Sequence, residues 1–312
     1  LEDGIVKPDT VFEVPDHLQV SDHLFGEAKP RATMRYSATQ IISKSSNIGT
    51  IMIGQKLGKE RLDHYLRSFG FGTKTAIDFP NESGGLLLAK SRWSGTSIGS
   101  IPIGQGIAVT AMQMLMAYNV VANDGRYVPP RLVQARIDAS GVRHPVPTSP
   151  SREVVSPVTA SQMRAMLAEA VRDGTGVAAA INGYTVAGKT GTARKPQPNG
   201  GYQDGAGNYH YVATFAGFVP AEDPQLSVIV VIDEPSASIY GGSNSAPVFA
   251  DIARYGLRLF KVPPAGTVGA RQGSGTTSTT LPPLRSTAAT VPDTTTTTVA
   301  SRDAAVVHGG GA

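Results

Sequence analysis

Three β-prone runs stand close together in the second half of the chain, at residues 184–193, 209–218 and 226–232. The last is a nearly unbroken apolar stretch, which predicts a strand covered by helices on both faces. Hairpin-like links between neighbouring runs imply an antiparallel sheet. Residues 247–260 then switch to helical spacing, with Val248, Phe249, Ile252, Ala253, Leu259 and Phe260 expected on one inner side. Residues 161–171 form an amphipathic helix whose Met163, Met166, Leu167, Ala170 and Val171 share a face, with Thr159 as its cap. Residues 110–123 read as a further helix, crowded with Met112, Met114, Leu115, Met116 and Tyr118, a cluster taken as core.

Earlier in the chain, residues 37–42, 48–57 and 60–69 read as short helices, the last two closed by Gly58 and Gly70. Residues 4–34 carry many prolines, aspartates and glycines and suggest loops and small strands. Residues 71–88 are turn-rich, and 127–137 are extended after the Asn123-Asp124-Gly125 turn.

Composition narrows the class. A chain of 312 residues with 40% hydrophobic content holds one large domain or two ordinary ones. The net charge of +4 comes from scattered basic residues without interleaved aromatics, which argues against nucleic acid. The absence of cysteine fits an exported protein without disulfides. No run of eighteen apolar residues and no signal pattern is present. From residue 262 to 312 the sequence turns to Thr, Pro, Gly, Ser and Ala without a single aromatic residue. Such a segment cannot bury enough apolar surface to offset its ordering entropy. A domain over 1–261 and a disordered tail over 262–312 are therefore expected.

Candidate chemistry centres on Tyr184-Thr185-Val186-Ala187-Gly188-Lys189-Thr190-Gly191-Thr192-Ala193. On a strand, Lys189 and Gly191 share one side and Thr190 and Thr192 the other. Gly191 lets a neighbour come close. A cation, hydroxyls and open backbone N–H groups suit an extended peptide ending in a carboxylate, added as a further strand.

Two short patterns compete with this reading. Gly183 to Thr190 spells G-x-x-x-x-G-K-T, followed downstream by an apolar run ending in Asp233. A phosphate loop must open a helix, and Arg194-Lys195-Pro196-Gln197-Pro198-Asn199 cannot form one. Gly95-Thr96-Ser97-Ile98-Gly99 spells G-x-S-x-G, but Ser91-Arg92-Trp93-Ser94 is no buried strand, so a surface loop is expected. His17, Asp22 and His23 have poor spacing for a metal and read as solvated.

Ser45-Ser46-Asn47 supplies an S-x-N triplet between two short helices. Alone, Ser45 or Asn47 reads as a cap of the second helix. With Lys189-Thr190-Gly191 it resembles the active-site set of penicillin-binding transpeptidases and serine β-lactamases. The runs 43–50, 103–110, 122–125 and 246–249 extend the resemblance to class B penicillin-binding proteins over roughly residues 1–261. One motif of that family is missing: no lysine has a serine three positions before it. Leu1 to Gly4 reads as the last turn of a helix, and the family's nucleophile opens such a helix, so a segment carrying it is expected before Leu1.

The resemblance implies a mixed α/β fold of the transpeptidase and serine β-lactamase type, an antiparallel sheet flanked by helices plus an all-helical subdomain. It implies a D,D-transpeptidase that cross-links stem peptides through an acyl-enzyme. Ser45 would relay a proton, Asn47 would bind the substrate amide, and Lys189 would keep the site positive. Thr190, Gly191 and Thr192 would bind the terminal carboxylate or a β-lactam, with the Thr192 N–H in an oxyanion hole. No metal or cofactor is implied. Expected partners are peptidoglycan stem peptides, β-lactams, a membrane glycosyltransferase and division or elongation proteins. The expected place is the outer face of a bacterial membrane, with the anchor outside this sequence. A serine β-lactamase or carboxypeptidase on the same fold, and a non-catalytic peptidoglycan-binding scaffold, are the alternatives.

Overall fold

Strands β9 (Ala187–Arg194), β10 (Tyr211–Val219) and β11 (Leu226–Asp233) form an antiparallel sheet with β10 in the middle. The register pairs Phe215 with Thr190 on one side and with Val230 on the other. Side chains alternate across a strand, so successive residues of β10 serve two different cores. Phe215, Val219 and Val230 pack under helix α7 (Gly241–Leu259), with the Phe215 and Phe249 rings 4.7 Å apart. Phe218 points the other way, to Val121 of α5 (Ala111–Ala122) and Leu167 of α6 (Pro157–Arg172). Helices therefore cover both faces, as the apolar run of β11 predicts. Phe215, Phe218 and Phe249 are fully buried. Each contributes about 2–3 kcal/mol of apolar burial.

The structure is a computed structural model that describes residues 1–198 and 200–265. The described residues all belong to one compact unit. Val262 still packs on the core under α7, and the Ala265 N–H donates to the Gly183 carbonyl at 3.0 Å. The tail expected over 262–312 lies outside the described residues from position 266 onward.

The first part of the chain builds a second core beside the sheet. Strand β1 (Val11–Val14) pairs with β4 (Met34–Ser37), and β2 (His17–Val20) with β3 (His23–Gly26). Helices α1 (Ala38–Ser43), α2 (Asn47–Leu57) and α3 (Lys59–Ser68) follow. The expected helical part thus shares its core with strands: Ile41, Ile48 and Ile51 bury against Phe12, Val14, Val20 and Phe25. Ser37 ends β4 and caps α1 in a reciprocal box, its Oγ accepting the Gln40 N–H at 3.2 Å. Gly49 sits where a Cβ would lie 2.6 Å from Ile41, which lets α2 turn back tightly on α1. Helix α4 is a single turn (Ser97–Ser100), and four short strands complete the fold: β5 (Arg126–Tyr127), β6 (Ala135–Ile137), β7 (Arg143–Pro145) and β8 (Arg152–Glu153). They form the pairs β5–β8 and β6–β7.

Three expectations about helices need correction. Helix α7 starts at Gly241, not at Pro247, which lies inside it. A Cβ on Gly241 would collide with the Thr214 carbonyl oxygen, so the glycine lets the helix start flush against the sheet. Phe249 and Ala253 do face the core, but Val248, Ile252, Leu259 and Phe260 are exposed and Ala246, Ala250 and Leu257 are buried instead. The cap of α6 is Ser156, with Pro157 at the first helical position, while Thr159 donates its N–H to that cap.

Candidate active site

Helix α1 ends at Ser43 with Lys44 as its C-cap, and the chain reverses over Ser45 and Ser46 before α2 begins. Ser45 takes φ of +58°, a left-handed conformation that costs a non-glycine residue about 1 kcal/mol. Ser46 is the cap of α2, its Oγ accepting the Gly49 N–H at 3.0 Å. The capping role that sequence would assign to Ser45 or Asn47 thus falls on the residue between them. Both flanking side chains are left for other work.

Strand β9 brings its lysine to this turn. Lys189 Nζ donates to Ser45 Oγ at 2.9 Å, to the Thr190 carbonyl at 3.0 Å and to Thr190 Oγ1 at 3.1 Å. It also reaches Thr175 Oγ1 at 3.3 Å. No carboxylate pairs with Lys189 among the described residues. Burial without an acid lowers its pKa from 10.5 to about 8. The site therefore holds a cation that is easily neutralised, ringed by hydroxyl and carbonyl oxygens.

The strand alternation sorts the other members of the motif. Thr190 and Thr192 pair with Phe215 and Ala213 and share the α7 side of the sheet, where Thr192 Oγ1 accepts the Gly241 N–H at 3.3 Å. Gly191 lies opposite Thr214, and a Cβ there would collide with the Thr214 hydroxyl. The close neighbour at this glycine is thus a side-chain hydroxyl of the adjacent strand. Because β9 is an edge strand, its outer side has no sheet partner among the described residues.

Sequence reasoning passes over two supporting groups. Thr175, in the loop after α6, lies 2.6 Å from Thr190 Oγ1, and its N–H donates to the Ser43 carbonyl at 3.1 Å. Glu27, just after β3, contacts the S-x-N turn from the far side at Ser46 Oγ and the Asn47 N–H. Nothing in their spacing marks either one, since both reach the site only through the fold. The general preference of threonine and glutamate for hydrogen bonding is too weak a signal.

Ser45, Asn47, Thr190, Gly191 and Thr192 line one groove of about 1640 Å³, with Tyr211 and Tyr240 on its walls. Lys189 joins that lining through its bonds to Ser45 and Thr190. All six expected site residues thus converge on one place. The competing patterns dissolve: residues 187–194 are strand with no helix after them, and Ser97 opens a single helical turn where it bonds to Ser94. His17 pairs with Asp16 at 3.0 Å, His23 packs on Phe25, and no metal-holding cluster occurs among the described residues.

Comparison with known proteins gives the family. The model of the penicillin-binding protein transpeptidase domain matches residues 1–254. Penicillin-binding protein PbpB of Mycolicibacterium smegmatis is 39% identical over 273 residues, 84% of this chain and 42% of that protein. Stage V sporulation protein D of Bacillus subtilis is 36% identical over 228 residues, 72% of this chain and 34% of that protein. Penicillin-binding protein 3 of Mycobacterium tuberculosis, complexed with ampicillin, superposes with a TM-score of 0.79 at 37% identity, covering 86% of this chain and 61% of that one. The chain spans about two fifths of the length of the PbpB relative.

Proposed function

The chain belongs to the penicillin-binding protein transpeptidase family, and from that premise we propose that it forms the larger part of a D,D-transpeptidase domain that cross-links peptidoglycan stem peptides. The contact that carries the proposal is Lys189 Nζ to Ser45 Oγ at 2.9 Å, across 144 residues of sequence. A serine nucleophile in a segment outside this sequence gives its proton to its lysine partner and attacks the carbonyl of the penultimate D-alanine. The carbon–nitrogen bond to the last D-alanine breaks, and an amine of a second stem then takes the acyl group.

The residues present divide the remaining work. Ser45 accepts a hydrogen bond from Lys189, so its own proton is free to pass to the leaving amine. Asn47 binds the substrate backbone amide. Thr190 and Thr192 bind the terminal carboxylate, attracted by the Lys189 charge, and the peptide lies along the free edge of β9. The Thr192 N–H supplies half of an oxyanion hole. The transpeptidase domain is taken as residues 1–261. No helix among the described residues is long and apolar enough to cross a membrane. The protein works on the outer face of the cell membrane, anchored by a segment outside this sequence, beside a glycosyltransferase that supplies the glycan strands.

Fluorescent penicillin tests the proposal. The full-length gene product that contains this chain takes the label on a serine outside residues 1–312, and the 312-residue chain alone takes none. Label mapped to a serine within this chain would overturn the assignment of the nucleophile. Absence of label on the folded full-length protein would favour a non-catalytic binding role.

A further inference from the structure

The S-x-N turn is held from behind by one carboxylate. The Glu27 side chain is only 6% exposed. Its Oε1 accepts from Ser46 Oγ at 2.5 Å and from an Arg31 guanidinium nitrogen at 2.6 Å. Its Oε2 accepts the Asn47 backbone N–H at 2.9 Å. The Gly26 carbonyl beside it accepts from Asn47 Nδ2 at 3.2 Å. Arg31 in turn donates to the Val14 and Ala32 carbonyls at 2.9 and 2.8 Å, which ties the carboxylate to the β1 end of the second core.

These bonds fix directions as well as distances. Ser46 has one hydroxyl proton, and it goes to Glu27, because the Gly49 N–H already donates to that oxygen. The Asn47 amide can present only its nitrogen to a carbonyl, so Nδ2 faces Gly26 and Oδ1 is the atom left for a substrate N–H. Just before these two pinned points lies Ser45 in its left-handed conformation. Such a conformation persists only where its surroundings impose it.

We propose that Glu27, oriented by Arg31, is a positioning residue for the transpeptidase reaction: through Ser46 and the Asn47 N–H it holds Asn47 so that its Oδ1 faces the groove. A carboxylate is required because all its partners are donors. A glutamine would set its NH2 group against the Ser46 hydroxyl or the Asn47 N–H, donor against donor.

This inference rests on the proposed acylation chemistry, and its test separates the two. The second-order rate of acylation by fluorescent penicillin is measured on the full-length gene product, on Glu27→Gln, on Asn47→Ala and on the double variant. Glu27→Gln lowers the rate roughly tenfold to a hundredfold, the scale expected for losing a hydrogen bond to a charged group. In the Asn47→Ala background the same substitution changes it by less than about threefold, because the group it positions is gone. A merely structural glutamate gives the same loss in both backgrounds, and that result overturns the proposal, as does no loss at all. If Glu27→Gln does not fold, Ser46→Ala replaces it in the same cycle, and an unchanged rate there overturns the proposal too. A parent protein that takes no label refutes the acylation reading itself.

Discussion

The two faces of one strand pair show opposite solutions to the same packing problem. Under α7, Phe215 and Phe249 meet in an apolar core, and neither ring is exposed. At the neighbouring edge, Lys189 is drawn in from water without an acidic partner, and Ser45 is held left-handed beside it. The first region gains stability from every group it buries. The second gives some up, keeping a cation and a free hydroxyl ready for a ligand's carboxylate and leaving group. The two regions are adjacent on the strand: Thr190, opposite Phe215 of the α7 core, directly follows Lys189.

The largest expected effect tests the apolar half. Phe249→Ala removes a fully buried ring from the contact with Phe215 and leaves a cavity between α7 and β10. It should lower unfolding free energy by about 3–5 kcal/mol, read from urea denaturation. A loss below about 1 kcal/mol would mean that α7 is not the clamp on this sheet.

The two regions also differed in how far the sequence revealed them. The sheet was legible because 184–193, 209–218 and 226–232 alternate or run apolar at strand length, and they became β9, β10 and β11 within a few residues. Lys189, Thr190 and Thr192 were legible for the same reason, since a strand fixes which side each one takes. Helix α7 was misjudged because its apolar residues lie all round it: Phe249 and Leu257 face in, while Val248, Ile252 and Leu259 face out. Pro247 also looked like a helix start, whereas the real start depends on Gly241 fitting against the Thr214 carbonyl. The caps failed locally, because Ser45, Ser46 and Asn47 are all good caps and only the fold selects Ser46. Glu27 and Thr175 were invisible because their role is a tertiary contact, 20 residues before Asn47 and 15 before Thr190.

The next effect sharpens the comparison from the polar side. The lysine pKa falls from 10.5 to about 8 on folding through burial. Between those values the unfolded chain binds the proton and the folded one does not. Stability from this group therefore rises as pH increases from 8 to 10.5. In Lys189→Met that rise disappears. Thermal unfolding of parent and variant, compared at pH 7 and pH 10, should show the parent gaining about 1–3 kcal/mol more than the variant. Equal gains would mean that Lys189 is not held in a desolvated place, and the contrast between the two regions would fall with it.

The smallest effect on stability isolates the turn. Ser45→Gly removes the left-handed strain of a side chain at φ +58°, worth about 1 kcal/mol, but frees the unfolded chain by a similar amount. Unfolding free energy should therefore change by less than about 0.5 kcal/mol, read from urea denaturation. Penicillin acylation of the full-length protein should nevertheless fall more than about tenfold, because the hydroxyl between Lys189 and the leaving group is gone. Phe249→Ala is expected to act through stability, whereas Ser45→Gly is expected to remove activity while the fold stays intact. If Ser45→Gly instead destabilised the protein strongly, the serine would belong to the packing, and the polar edge would be an extension of the core.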